Sequence, residues 1–96
     1  MERKKSRAMT ERQIKVINTL GIHARPASMI VQTAAKFKSN IWIIKDGANA
    51  DAKSIMSVMM LAAAYNSTVI IRASGSDEAD AVNAIVSLFE QKFKEE

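Results

Sequence analysis

The hydrophobic and polar positions change period several times along the chain, and each change marks a new element. From Gln13 the residues alternate, with Ile14 and Val16 facing one way and Lys15 the other, which predicts a half-buried strand. After a turn containing Gly21, the residues Ala27, Ile30, Val31, Ala34 and Phe37 recur at helical spacing, while Ser28, Gln32, Lys36 and Lys38 fall largely opposite. A helix therefore starts near Pro26. Asn40 opens the β-branched and aromatic run I-W-I-I-K, and the pair Asp46 and Gly47 predicts a hairpin turn into a weaker polar strand, A-N-A-D.

The run I-M-S-V-M-M-L-A-A-A-Y at residues 55–65 predicts a second helix, with Ser54 at or beside its N-cap and Asn66 as a left-handed residue at its end. At least two of Met56, Met59 and Met60 are expected in the core. Residues 68–73 alternate again, Val69 and Ile71 opposing Thr68, Ile70 and Arg72. S-G-S-D-E-A then announces a third helix, with Ser76 as cap and Asp77, Glu78 and Asp80 in its positive first turn. Lys92 and Lys94 lie near the opposite end, and the buried stripe runs through Val82, Ile85, Leu88 or Phe89, and Phe93. The order strand, helix, strand, strand, helix, strand, helix predicts a two-layer α+β sandwich: a mostly antiparallel four-stranded sheet with three helices on one face.

Composition narrows what such a domain does. At 96 residues and 48% hydrophobic content, the chain fits one small domain over residues 9–96, preceded by a basic extension over 1–8 that has no periodicity and is expected to be disordered. The formal charge of +4 suggests nucleic acid until it is located. Residues 1–13 hold five of the 14 Lys/Arg and two of the 10 Asp/Glu, so the remainder is nearly neutral. No stripe of basic residues with interleaved aromatics follows, and Trp42 alone is better read as sheet-face packing than as a base-stacking platform. The apolar core of a signal peptide is missing after the basic start, and the longest apolar run is too short to span a bilayer. A cytoplasmic setting without membrane insertion is expected. With no cysteine and one histidine, neither a disulfide nor a His/Cys metal cluster can form. No metal or bound cofactor is required, and nothing demands more than a monomer.

The chemistry concentrates in L-G-I-H-A-R-P-A-S, residues 20–28, which contains the only histidine and the only proline. Gly21 permits a sharp turn, and Pro26 suits a first helical turn because it has no N–H to leave unpaired. His23 then precedes a helix N-terminus, where unpaired N–H groups and the helix dipole favour an anion by roughly 0.3–1 kcal/mol. Arg25 adds a planar cation matched to phosphate oxygens. A nucleophilic nitrogen, an anion cradle and a guanidinium are what a phosphorylated histidine needs. Taken by itself, the segment also reads as a polar loop before a helix. No second general acid or base accompanies it, which favours a carrier over a free-standing hydrolytic enzyme.

G-I-H-A-R-P-A at residues 21–27, K-S-I-M-S-V-M at 53–59 and A-S-G-S-D-E at 73–78 closely resemble the HPr family, the histidine-containing phosphocarriers of the bacterial phosphoenolpyruvate-dependent phosphotransferase system. The resemblance covers about residues 9–94 and implies an open-faced sandwich of β-α-β-β-α-β-α order. It implies that His23 accepts a phosphoryl group on Nδ1 from phosphorylated enzyme I and passes it to a IIA protein or domain, assisted by Arg25 and by the backbone N–H groups of Ala24 and Arg25. Phosphoenolpyruvate and Mg²⁺ would belong to enzyme I.

An N-cap role is enough to explain Ser54. The resemblance adds regulatory phosphorylation by an HPr kinase/phosphorylase. It also makes Ile55 and Met56 candidates for an exposed docking patch, with Arg25, Lys36 and Lys53 as polar contacts. Ser57, the segment Tyr65-Asn66-Ser67 and Leu20 depart from the family's commoner residues. The alternative reading is a regulatory protein-binding module of the same fold that acts through phospho-Ser54 on a transcriptional or metabolic regulator. The presence of His23 beside Arg25 argues for the carrier.

Overall fold

The computed structural model describes residues 9–95; the basic extension expected over residues 1–8 lies outside them. Strand β1 (Thr10–Lys15) is followed by helix α1 (Ala24–Ala34), the hairpin β2 (Asn40–Lys45) and β3 (Ala48–Asp51), helix α2 (Ile55–Met60), strand β4 (Thr68–Ser74) and helix α3 (Glu78–Glu90). The chain ends in a tight turn over Lys92–Lys94. The strands form one antiparallel sheet in the order β1-β4-β2-β3, as the predicted element order requires.

Alternation decides which side of the sheet is covered. Ile41, Ile43, Val69, Ile71 and Ala73 point to the helices and are buried with Ile30, Val58, Ile85 and Phe89. On the opposite, open face the register aligns Glu11, Arg72, Trp42 and Asp51 in one row across all four strands. Arg72 Nε donates to Glu11 Oε1 at 2.6 Å there, and Trp42 is half-buried between Arg72 and Asp51. Asp46 and Gly47 both have positive φ, 50° and 82°, matching the two-residue hairpin read from the sequence.

Four expectations are corrected. Strand β1 begins at Thr10, three residues before the alternation becomes legible, because Thr10, Glu11 and Arg12 pair along β4 although they are polar. Helix α2 stops at Met60, and Ala62 already has φ 51°. Asn66, with φ 75°, is left-handed as expected but lies in the loop beyond, where its N–H donates to the Val16 carbonyl. The chain leaves the helix early because Ala63 and Ser67 supply carbonyls to Ile22 and Val16, bonds that a longer helix would forfeit.

The third correction concerns the methionines: Met56, Met59 and Met60 are 69%, 43% and 77% exposed, so none belongs to the core. In so short a helix only Val58 has its side chain fully turned inward.

The fourth concerns the start of α3, where Asp77 and not Ser76 is the N-cap residue, and its carboxylate does not cap. Instead it accepts from the backbone N–H groups of Lys38 and Ser39, both at 2.9 Å, and from the Ser39 hydroxyl, tying α3 to the loop before β2. The Ser39 hydroxyl and these backbone donors hold the Asp77 carboxyl down to about 2 from its ordinary 3.8. A depressed carboxyl stabilises the fold above its unfolded value and loses that contribution as pH falls. Stability should therefore drop between about pH 4 and pH 2. Chemical denaturation of Asp77→Asn beside the parent across that window checks this, with a shallower acid loss expected in the variant.

Candidate functional site

His23 is the N-cap residue of α1, with φ −90° and ψ −166°, and its carbonyl accepts the first helical bond from Ala27 N–H at 2.9 Å. Pro26 has no N–H, so Ala24 and Arg25 carry the first-turn donors that the helix itself leaves without a carbonyl. No acidic residue stands in that first turn. These donors stand beside the imidazole.

Gly21 sets the entry to this turn. Its φ is 71°, and a Cβ placed there would come 2.7 Å from the Ala63 carbonyl oxygen and 3.1 Å from Ala64 Cα. Both the left-handed backbone and the close approach demand glycine. Ile22 N–H then donates to the Ala63 carbonyl at 2.9 Å, fastening the histidine loop to the exit of α2.

Two further residues complete the site, and local sequence pattern pointed to neither. His23 Nε2 lies 2.6 Å from Glu95 Oε2, although 72 positions separate them in the chain. The other carboxylate oxygen accepts from the Asn18 amide at 2.9 Å, and the same amide donates to the Gly21 carbonyl at 2.7 Å. Asn18 is fully buried and its Oδ1 has no hydrogen-bond partner. Arg25 Nη1 donates to the Phe93 carbonyl at 3.0 Å and stands 3.8 Å from Glu95 Oε2. The Asn18 hydrogen bond, with His23 and Arg25 adding to it against burial, holds the Glu95 carboxyl below the usual glutamate range.

Glu95 reaches His23 because the chain turns back after α3. Lys92, Phe93 and Lys94 have φ values of 53°, 54° and 59°, a left-handed run that costs L-residues roughly 1–2 kcal/mol apiece. The Phe93 ring compensates: it is fully buried and packs edge-on against Phe89 with centroids 4.9 Å apart. Burying such a ring contributes about 2–3 kcal/mol, and the Arg25 bond to the Phe93 carbonyl adds to it.

The remaining sequence candidates lie elsewhere on the helical side. Ser54 is the N-cap residue of α2, its hydroxyl accepting from Ser57 N–H at 3.2 Å. Lys53 Nζ donates to the Phe37 carbonyl, just beyond the C-terminus of α1, and Lys36 is exposed at the same end. The 11 residues of α1 span about 16 Å, so the Lys53 ammonium and Lys36 stand at the end of α1 away from His23. Ile55 is 43% exposed and Met56 69%. Together with Met59, Met60 and Leu20, which is 72% exposed, they leave large apolar side chains uncovered on α2 and on the histidine loop. Among the described residues no group of three or more His, Cys, Asp or Glu could hold a metal ion, and no helix is long and apolar enough to cross a membrane.

The chain is an open-faced α+β sandwich with a histidine at the start of its first helix, and comparison with known proteins gives the family. Residues 10–91 match the family model described as the PTS HPr component phosphorylation site. The phosphocarrier protein HPr of Treponema pallidum (strain Nichols) is 44% identical over 88 residues, covering 92% of this chain and all of that protein. The HPr-like protein Crh of Halalkalibacterium halodurans is 42% identical over 84 residues, covering 88% of this chain and all of Crh. Among solved structures, HPr from Thermoanaerobacter tengcongensis superposes with a TM-score of 0.87 at 47% identity, covering 91% of this chain and 98% of that one. The chain belongs to the HPr family of phosphocarriers of the phosphotransferase system.

Proposed function

We propose that this protein carries a phosphoryl group on Nδ1 of His23, receiving it from phosphorylated enzyme I and handing it to a IIA protein or domain. It works as one cytoplasmic, monomeric domain over residues 9–96. The observation that carries this reading is the placement of the only imidazole in the chain at the N-cap of α1, beside the first-turn N–H groups of Ala24 and Arg25 and the Arg25 guanidinium. Phosphoryl transfer depends on positioning and on stabilising oxygen charge, and those donors supply both. Intact-mass analysis after incubation with enzyme I, Mg²⁺ and phosphoenolpyruvate tests it. One added phosphate, labile in acid and assigned by ³¹P NMR to a histidine nitrogen, is the expected result; no added phosphate with an enzyme I from the same source overturns it.

The exposed Ile55 and Met56, with Arg25, Lys36 and Lys53, form the docking surface for enzyme I and IIA. A small apolar patch with a polar rim suits an encounter that must end quickly. Ser54 is the regulatory site, modified by an HPr kinase/phosphorylase. A phosphate there meets the favourable end of the α2 dipole and leaves the fold intact, while adding nearly two negative charges to the docking surface. Ser54 makes its side-chain bond to Ser57 and the imidazole makes its own to Glu95, so the effect of Ser54 passes through docking. Ser54→Asp should slow acceptance from phosphorylated enzyme I about ten-fold, the equivalent of about 1.4 kcal/mol of docking. Single-turnover transfer from phosphorylated enzyme I measures this, and equal rates for variant and parent would count against the regulatory role.

The second reading, a binding module acting through phospho-Ser54 on a regulator, draws support from the likeness to an HPr-like protein. An acid-labile phosphate on His23 decides for the carrier.

A further inference from the structure

We infer that Glu95, held by the buried amide of Asn18, is a positioning residue for His23: its carboxylate accepts the Nε2 hydrogen and thereby leaves Nδ1 as the nitrogen with the free lone pair. The inference rests on the reading of His23 as the phosphoryl acceptor and names what selects the reacting nitrogen.

The geometry admits one assignment of the proton. Nε2 and Glu95 Oε2 are 2.6 Å apart, a short contact that needs a hydrogen between them. Glu95 is ionised over the neutral range, since Asn18, His23 and Arg25 hold its carboxyl below the ordinary value, and an ionised carboxylate only accepts. The hydrogen therefore sits on Nε2, and in the neutral ring the lone pair is on Nδ1.

Asn18 makes the arrangement rigid. It is fully buried, it gives its amide hydrogens to Glu95 and to the Gly21 carbonyl, and its Oδ1 is left without a partner. Turned over, the amide would face its oxygen to the Glu95 carboxylate and the Gly21 carbonyl, both acceptors, so these two partners admit only the orientation with Nδ2 towards them. Arg25 fixes the same segment from the other side through the Phe93 carbonyl.

The transfer step then balances without moving the Nε2 proton. The Nδ1 lone pair forms a bond to phosphorus while the phosphorus–nitrogen bond of the donor's phosphohistidine breaks, its electron pair returning to the donor ring. The His23 ring gains positive charge as the new bond forms, and the carboxylate beside Nε2–H stabilises that charge. On donation to the acceptor histidine the same electrons flow in reverse.

Glu95→Gln and Asn18→Ala test this. In ¹⁵N NMR of the neutral ring, the parent should show the Nε2–H tautomer, and both variants should shift towards Nδ1–H, with Phe93 keeping the terminal turn folded. Acceptance from phosphorylated enzyme I should slow about ten-fold in Glu95→Gln, the scale of a lost charge-assisted hydrogen bond. An unchanged tautomer in both variants overturns the inference whatever the rates, and so does an unchanged rate in Glu95→Gln. The tautomer is read without any partner protein, whereas failure of the parent to accept phosphate would overturn the carrier reading instead.

Discussion

His23→Ala should remove acid-labile phosphorylation altogether. The expectation is absolute because the chain has one histidine, so no second imidazole can take over. The neighbouring groups do not substitute: Arg25 and the first-turn N–H groups offer no nucleophile, and the Glu95 carboxylate beside the ring is occupied by Asn18 and His23. Intact mass after incubation with enzyme I, Mg²⁺ and phosphoenolpyruvate should show one added phosphate on the parent and none on the variant. The fold should survive, since His23 is a partly exposed N-cap residue whose side chain makes no cap bond. Its thermal midpoint should move by only a few degrees. An acid-labile phosphate on the variant would remove His23 from the mechanism.

Phe93→Ala should produce the largest loss of stability. The ring is fully buried, packs edge-on against Phe89 and anchors the left-handed turn that closes the site. Large-to-small replacement of a buried phenylalanine costs about 3–5 kcal/mol. For a domain of this size that lowers the thermal midpoint by at least about 12 °C. The strain of three left-handed residues then has nothing to hold it, so the turn opens and Glu95 leaves His23. Calorimetry reads the first effect, and the His23 tautomer read by ¹⁵N NMR below the new midpoint reads the second. Phe93→Leu should keep most of the stability. A midpoint unchanged in Phe93→Ala would mean that the turn is not packed as described.

Much of the molecule was legible before folding, for local reasons. The alternation of Val69 and Ile71, the hairpin at Asp46 and Gly47, the Ser54 cap and the stripe Val82, Ile85 and Phe89 are short-range signals, and each matches the fold; Phe93 is buried as the stripe predicts but lies past the end of α3, in the left-handed turn. The Gly21, His23, Arg25, Pro26 constellation is likewise local, because a turn and a helix start are written within seven residues. The errors arose where partners come from afar. Propensity alone carries helix α2 five residues too far, because Leu61 and the alanines after it are good helix formers, yet the backbone of this segment bonds to Val16 and to Ile22 of the histidine loop. Apolar character alone puts Met56, Met59 and Met60 in the core, whereas packing leaves them outside.

The sequence by itself determined the order of elements, the face each strand buries and the turn-and-helix segment that holds the one histidine, since all of these are set by periodicity and turn chemistry. Only the tertiary structure decided which residues surround that histidine. Glu95 meets it across 72 positions of chain and is held there by Asn18, 77 positions away from Glu95, through a turn held by Phe93 packing and by Arg25, and no local period records a contact made at that distance. The physical reason is that a helix or strand follows from neighbours a few residues apart, whereas a proton's position on a ring is fixed by whichever charge the completed fold brings beside it.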